Sequence, residues 1–159
     1  MQAQQNVTPI DQAREKADKP EGPGQWTLKQ IQTALKRQIP ARLLKSKSKG
    51  GAKLTFLPWY SATRILDKYC PGWVWEIRQT QLSSDRLFVV GRLTIPTANG
   101  LVYREATGTE NLKEERFDKR EQVTRLQELA YGDPSSNAES MAFRRAAARF
   151  GLGLYLYEK

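Results

Sequence analysis

The 159-residue sequence predicts one α+β domain, an antiparallel three-stranded meander packed on helices. Leu28, Ile31, Leu35 and Ile39 recur at helical spacing ahead of Pro40. Residues 73–82, 86–96 and 101–109 form three extended stretches separated only by short turn-forming segments. A closing helical pattern sets Phe143, Ala147 and Phe150 on one face. The order is a β-β-β-α core behind an N-terminal helix.

Each element has its own signal. Residues 1–24 hold three basic and four acidic groups, Pro9, Pro20 and Pro23, and no periodicity, the composition of a disordered tail ahead of a folded domain spanning 25–159. Thr27 stands where the first helix needs an N-cap. The run Lys45-Ser-Lys-Ser-Lys-Gly-Gly51 predicts a flexible basic loop. Residues 53–57 suit a short strand, and residues 61–69 a helix with Ile65 and Leu66 inward, broken by Pro71-Gly72. The meander turns at Ser83-Ser84-Asp85 and at Thr97-Ala98-Asn99-Gly100.

Simple pairing across both turns puts Glu76, Arg92 and Glu105 in one cross-strand row. The same register sends Trp73, Trp75, Leu93 and Ile95 to the opposite, apolar face. Residues 112–130 mix both signs of charge at i, i+4 spacing. They predict a charged helix, an insert at about 111–134 that Gly132-Asp133-Pro134 ends. Ser136-Asn-Ala-Glu139 has the capping-box pattern for the last helix, which runs to Phe150.

Composition narrows the chemistry. Lys and Arg total 26 against 17 Asp and Glu, a net charge of +9 that calls for an anionic partner. With no histidine, imidazole acid–base chemistry and His-based zinc sites are absent. Cys70 stands alone, which suits a reducing compartment. No apolar run reaches bilayer length, and the start lacks the apolar stretch of a secretory signal, so an intracellular protein with no membrane partner is expected. The charge is also uneven: residues 25–66 carry nine basic side chains and no acid.

The most informative stretch is Ala142-Phe-Arg-Arg-Ala-Ala-Ala-Arg-Phe150. Arg144, Arg145 and Arg149 point away from the apolar face, interleaved with Ala142 and Ala148. Small residues there would let a phosphodiester backbone approach, and the guanidinium fork donates two hydrogen bonds to one phosphate. An ordinary solvated helix face explains the same pattern. The basic segment from Lys45 through Lys47 and Lys49 to Lys53 favours the first explanation, because two distant basic elements then form the walls of one groove. The segment is no P-loop: Lys49-Gly50-Gly51-Ala52-Lys53 lacks the glycine spacing and the Ser or Thr after lysine. Phe56, Trp59 and Tyr60 stay open between core and base stacking. Glu114, Glu115, Asp118 and Glu121 alternate with basic residues and read as ion pairing rather than as a metal site.

Several stretches together resemble the Rad52/Rad22 family of single-strand annealing proteins, particularly compact bacterial and phage-type members. They are Trp26-Thr-Leu-Lys29, the basic Gly-Gly loop, Leu57-Pro-Trp-Tyr60, Tyr69-Cys-Pro-Gly-Trp73, Val90-Gly-Arg-Leu-Thr-Ile95, Arg104-Glu-Ala-Thr-Gly-Thr109, residues 138–151 and Leu154-Tyr-Leu156. The resemblance covers nearly everything from residue 25 onward and is most specific in 138–151.

It implies a ring-forming homo-oligomer whose groove holds single-stranded DNA by its backbone and promotes annealing, in recombination and repair, with no cofactor, no metal, no nucleotide hydrolysis and no catalytic residue. Arg144 and Arg145 match the family's paired basic residues, and Lys45, Lys47 and Lys49 its basic loop. Arg149 ranks below them, because Ala148 occupies the position where a basic residue is expected. The insert is longer than the usual connector. The chain stops at Lys159 without the extension by which eukaryotic members recruit a recombinase, so a recombinase or single-strand-binding partner would have to use the tail or the insert. The expected setting is the nucleoid-bearing cytoplasm of a prokaryote or a phage-infected cell. Two other functions stay open: a single-strand or DNA-end protector without annealing, and a metal-dependent nuclease.

Overall fold

A computed structural model describes residues 18–129 and 133–158, save the side chain of Lys49. Among these residues three helices, α1 (Leu28–Leu35), α2 (Trp59–Tyr69) and α3 (Pro134–Ala148), accompany seven strands. The strands are β1 (Lys45–Lys49), β2 (Ala52–Phe56), β3 (Val74–Leu82), β4 (Arg86–Thr97), β5 (Gly100–Asn111), β6 (Lys113–Asp118) and β7 (Val123–Glu128). They pair as β1-β2, β3-β4-β5 and β6-β7, all antiparallel.

The central meander has the expected register over residues 74–77 of β3 and throughout β4–β5, while a bulge between Ile77 and Gln79 shifts residues 79–82 by one. Glu76 pairs with Arg92 and Arg92 with Glu105, and Trp75 faces Leu93. Arg92 holds Glu105 at 2.8 Å on the outer face. Inward, Leu93 and Ile95 are fully buried with Ile31, Leu35, Leu66 and Phe150 in one core. Thr27 closes a capping box with Gln30, its side chain accepting from Gln30 N at 3.3 Å while Gln30 accepts from Thr27 N at 2.8 Å. α1 ends at Leu35, short of Pro40, yet Ile39 stays in the core. Cys70 is buried there too, and burial pushes its thiol up to about 12, so it stays protonated and unreactive.

α3 lies across β4 and β5 at unusually close range. A β-carbon on Gly108 would come within 1.8 Å of the Ala138 carbonyl oxygen and 2.7 Å of the Ala142 amide nitrogen. Ala138, Ala142, Ala146, Ala147 and Ala148 are all buried. Ala138 and Ala142 therefore serve helix–sheet contact, which corrects the expectation that Ala142 opens the surface to a phosphate backbone; Ala148 is buried too, but borders a small hollow with Arg145 and Arg149.

Three further expectations are revised. The basic segment is a strand, not a loop: β1 pairs with β2 through Gly50 and Gly51, whose φ values of 58° and 80° give the positive-φ pair that suits a two-residue hairpin turn. The charged helix at 112–130 is instead the β6–β7 hairpin, with Lys113 opposite Glu128 and Phe117 opposite Thr124. Residues 130–132 fall outside the described ones. Asp133-Pro134 opens α3 rather than ending an insert: Asp133 accepts from Ser135 N at 3.0 Å with Pro134 at the first helical position, so Ser136 is not the cap. Of the tail, residues 1–17 lie outside the described residues; in 18–24 Pro20 is buried while Asp18, Lys19, Glu21 and Pro23 are exposed.

The β6–β7 strands pack principally on each other, leaving Phe117 54% and Leu126 64% exposed. Leu126→Ser should accordingly move the unfolding free energy by no more than about 0.5 kcal/mol, measured by denaturant titration. A larger loss would mean that the hairpin carries part of the core.

Candidate nucleic-acid interface

Three of the residues that sequence singles out, Lys47, Arg144 and Arg145, line one groove beside α3. The alternation of β1 and β2 places Lys45 and Lys47 on one hairpin face, paired with Phe56 and Leu54. The Lys47 Nζ lies 5.4 Å from the Phe56 ring centroid, and the Arg144 guanidinium lies 5.3 Å from the same centroid. One aromatic side chain thus gathers a cation from each of two distant segments. The Lys45 Nζ sits 5.4 Å from the Tyr60 ring.

Arg145, one residue on, turns toward the sheet. Its Nη1 donates to the Thr107 carbonyl at 3.0 Å and approaches the Thr107 hydroxyl at 3.4 Å. Among the described residues neither guanidinium is in an ion pair with a carboxylate. Lys47, Arg144 and Arg145 therefore keep their positive charge available along a groove of about 480 Å³, floored by apolar side chains such as Leu57, Ala147 and Leu156. Burial lowers the Arg144 guanidinium from its ordinary value, and the electrostatic influence of the neighbouring Tyr157 works against that shift. An arginine stays charged under such a shift.

The rest of the candidate set divides. Arg149 is exposed beside a small hollow shared with Arg145 and Tyr157, next to the groove rather than in it. Lys53 pairs with Ser48 on the opposite hairpin face and does not line the groove. Lys49 pairs with Ala52 at the turn. Tyr157 was missed by sequence reasoning. It follows Gly153, whose left-handed φ of 65° starts the short turn Leu154–Leu156, and an aromatic just after a glycine-rich helix exit was the available signal.

Residues 27–159 match the family model described as Rad52/22 family double-strand break repair protein. The chain belongs to the Rad52/22 family. It is 33% identical over 134 residues to the DNA repair RAD52-like protein 1, mitochondrial, of Arabidopsis thaliana, covering 83% of this chain and 68% of that protein. It is 40% identical over 129 residues to the DNA repair RAD52-like protein 2, chloroplastic, of the same plant, covering 79% of this chain and 58% of that protein. The family places this chain among proteins of DNA repair and recombination. In this Rad52/22 chain, no three Asp, Glu or Cys side chains converge as a metal site among the described residues. Nor, among them, is any helix long and apolar enough to cross a membrane. Glu114, Glu115 and Asp118, which a nuclease would draw on, lie along β6 with Glu115 on the face opposite the other two.

Proposed function

We propose that this Rad52/22 protein binds single-stranded DNA along the Lys47–Arg144–Arg145 groove of an oligomeric ring and promotes annealing of complementary strands. It does so without nucleotide hydrolysis, metal or covalent chemistry, in the cytoplasm of a prokaryote or phage-infected cell. The observation that carries this reading is the convergence of unpaired cations from β1 and α3 on one groove.

Mechanistically, each cation set against a phosphate releases condensed counterions, and that release drives binding. Copies arranged in a ring would repeat the set and keep the strand extended. Ordering the strand before its complement arrives removes part of the entropy cost of the encounter.

The test mixes complementary oligonucleotides without ATP and follows duplex formation by fluorescence energy transfer. Annealing should be accelerated, and electron micrographs of the purified protein should show rings. Binding without acceleration would overturn the annealing part in favour of a protector of single strands. Cleavage of labelled DNA in magnesium would overturn the non-enzymatic part.

A further inference from the structure

At the end of the meander where β4 begins, two apolar features face solvent. The first is the β6–β7 hairpin. It springs from the end of β5 and is tied to the β3–β4 turn by Leu112 N, which donates to the Asp85 carbonyl at 2.8 Å. Glu115 pairs with Leu126 and Phe117 with Thr124, so Phe117 and Leu126 are diagonal neighbours on one hairpin face. The second is a hollow of about 310 Å³ between the later half of β3, the start of β4 and the first turns of α3. Ile77, Leu82, Leu87 and Val89 give it an apolar lining, with Ile77 43% and Leu82 67% exposed.

Placement and charge together point to what covers them. In the order β3-β4-β5 the hollow lies along the β3 flank and the hairpin leaves from the β5 flank. One chain thus carries the two features on opposite sides of one sheet. Copies set side by side in one orientation bring the hairpin of each toward the hollow of the next. A head-to-tail contact of this kind closes into a ring when its rotation allows. Copies of a chain with net charge +9 repel one another, yet residues 113–128 hold five basic and five acidic side chains. No basic side chain lines the hollow. Neither feature attracts a phosphate backbone, and neither adds to the repulsion between copies.

We infer that the β6–β7 hairpin clasps a second copy of this chain, with Phe117 and Leu126 seated in the neighbour's hollow against Ile77 and Leu82. The inference rests on the ring of the proposed function and adds two surfaces that join its members. All four side chains are more than two-fifths exposed in the single chain and leave water together in the contact. Burying even one leucine or phenylalanine shifts an equilibrium roughly tenfold or more.

The experiment places one thiol on each surface. Leu126→Cys and Leu82→Cys chains are co-expressed, purified together and treated with a short bismaleimide, which adds one thiol at each end. The native Cys70 is buried and protonated, so it does not compete. Cross-linked dimers should form in the mixture and not in Leu126→Cys alone. In parallel, Phe117→Ser with Leu126→Ser, shown to be folded by circular dichroism, should raise the protein concentration needed for assembly at least about tenfold. Light scattering after size-exclusion chromatography reads this. The same variant should bind an oligo-dT short enough for one copy with the wild-type salt slope, because Arg144 and Arg145 are untouched.

An assembled wild type whose mixed thiol variants give no cross-linked dimer overturns the inference. So does cross-linking of Leu126→Cys alone, which would mean that hairpin meets hairpin. A monomeric wild type that still binds oligo-dT removes the clasp and the ring but keeps the groove. Cross-linking in a protein that does not bind oligo-dT keeps the clasp and removes the groove.

Discussion

Replacing Arg144 and Arg145 together by alanine should lower the salt slope of oligo-dT binding by about 1.4, at about 0.7 per phosphate contact on a single strand. Affinity should fall with it, most steeply at low salt. The two positions should not be equivalent. Arg144 is partly buried against Phe56, the ring that also carries Lys47, so its removal also loosens the wall that holds Lys47. Arg145 is exposed and, among the described residues, hydrogen-bonds only Thr107, so its removal should cost charge and its hold on β5 while leaving the groove wall in place. Arg145→Lys should preserve the slope but recover only part of the affinity, because an ammonium cannot donate as a fork. Fluorescence anisotropy across a salt series checks all three. A folded double variant with unaltered slope and affinity would remove these residues from the interface.

Gly108→Ala should be the most disruptive single substitution to the fold. The added carbon meets the backbone of Ala138 and Ala142, and backbone cannot swing aside as a side chain can. α3 would have to lift from the sheet, at about 3 kcal/mol or more. For a chain of this size that is a drop of roughly 6–12 °C in the thermal midpoint. DNA binding should fall in parallel, because Arg144 and Arg145 ride on the displaced helix. Gly22→Ala, where a β-carbon meets nothing within 4 Å, serves as the control and should leave both readouts unmoved. A Gly108→Ala protein as stable as wild type would show that the helix is free to move on the sheet.

Sequence reasoning succeeded where burial sets the pattern. Leu93 and Ile95 face a core and Arg92 faces water, so the period-two alternation of the meander is written in hydrophobicity and its register follows. It failed where both faces of a strand are polar. In 45–49 lysine alternates with serine, a period of two that apolar counting does not register, although Gly50-Gly51 carried the turn signal.

The 112–130 segment misled for a related reason. Lys, Glu and Arg favour helix, and the Glu121–Arg125 pair is compatible with one. Phe117, Val123 and Thr124 favour strand, and the turn between them is fixed by Asp118 accepting from Arg120 N at 2.8 Å. At the groove, the arginines were legible from composition and spacing. The meeting of Lys47 and Arg144 on Phe56 was not, because it depends on the twist of a hairpin whose existence was itself missed.

Arg145 also has a consequence for solubility. β5 is the outermost strand of its sheet, and such strands offer unpaired main-chain groups to any passing chain. By hooking onto the Thr107 carbonyl, Arg145 plugs one of those vacant acceptors and posts a positive charge beside it. A foreign strand zipping onto this border would first have to evict the guanidinium, so one residue shields the sheet from aggregation while facing the groove.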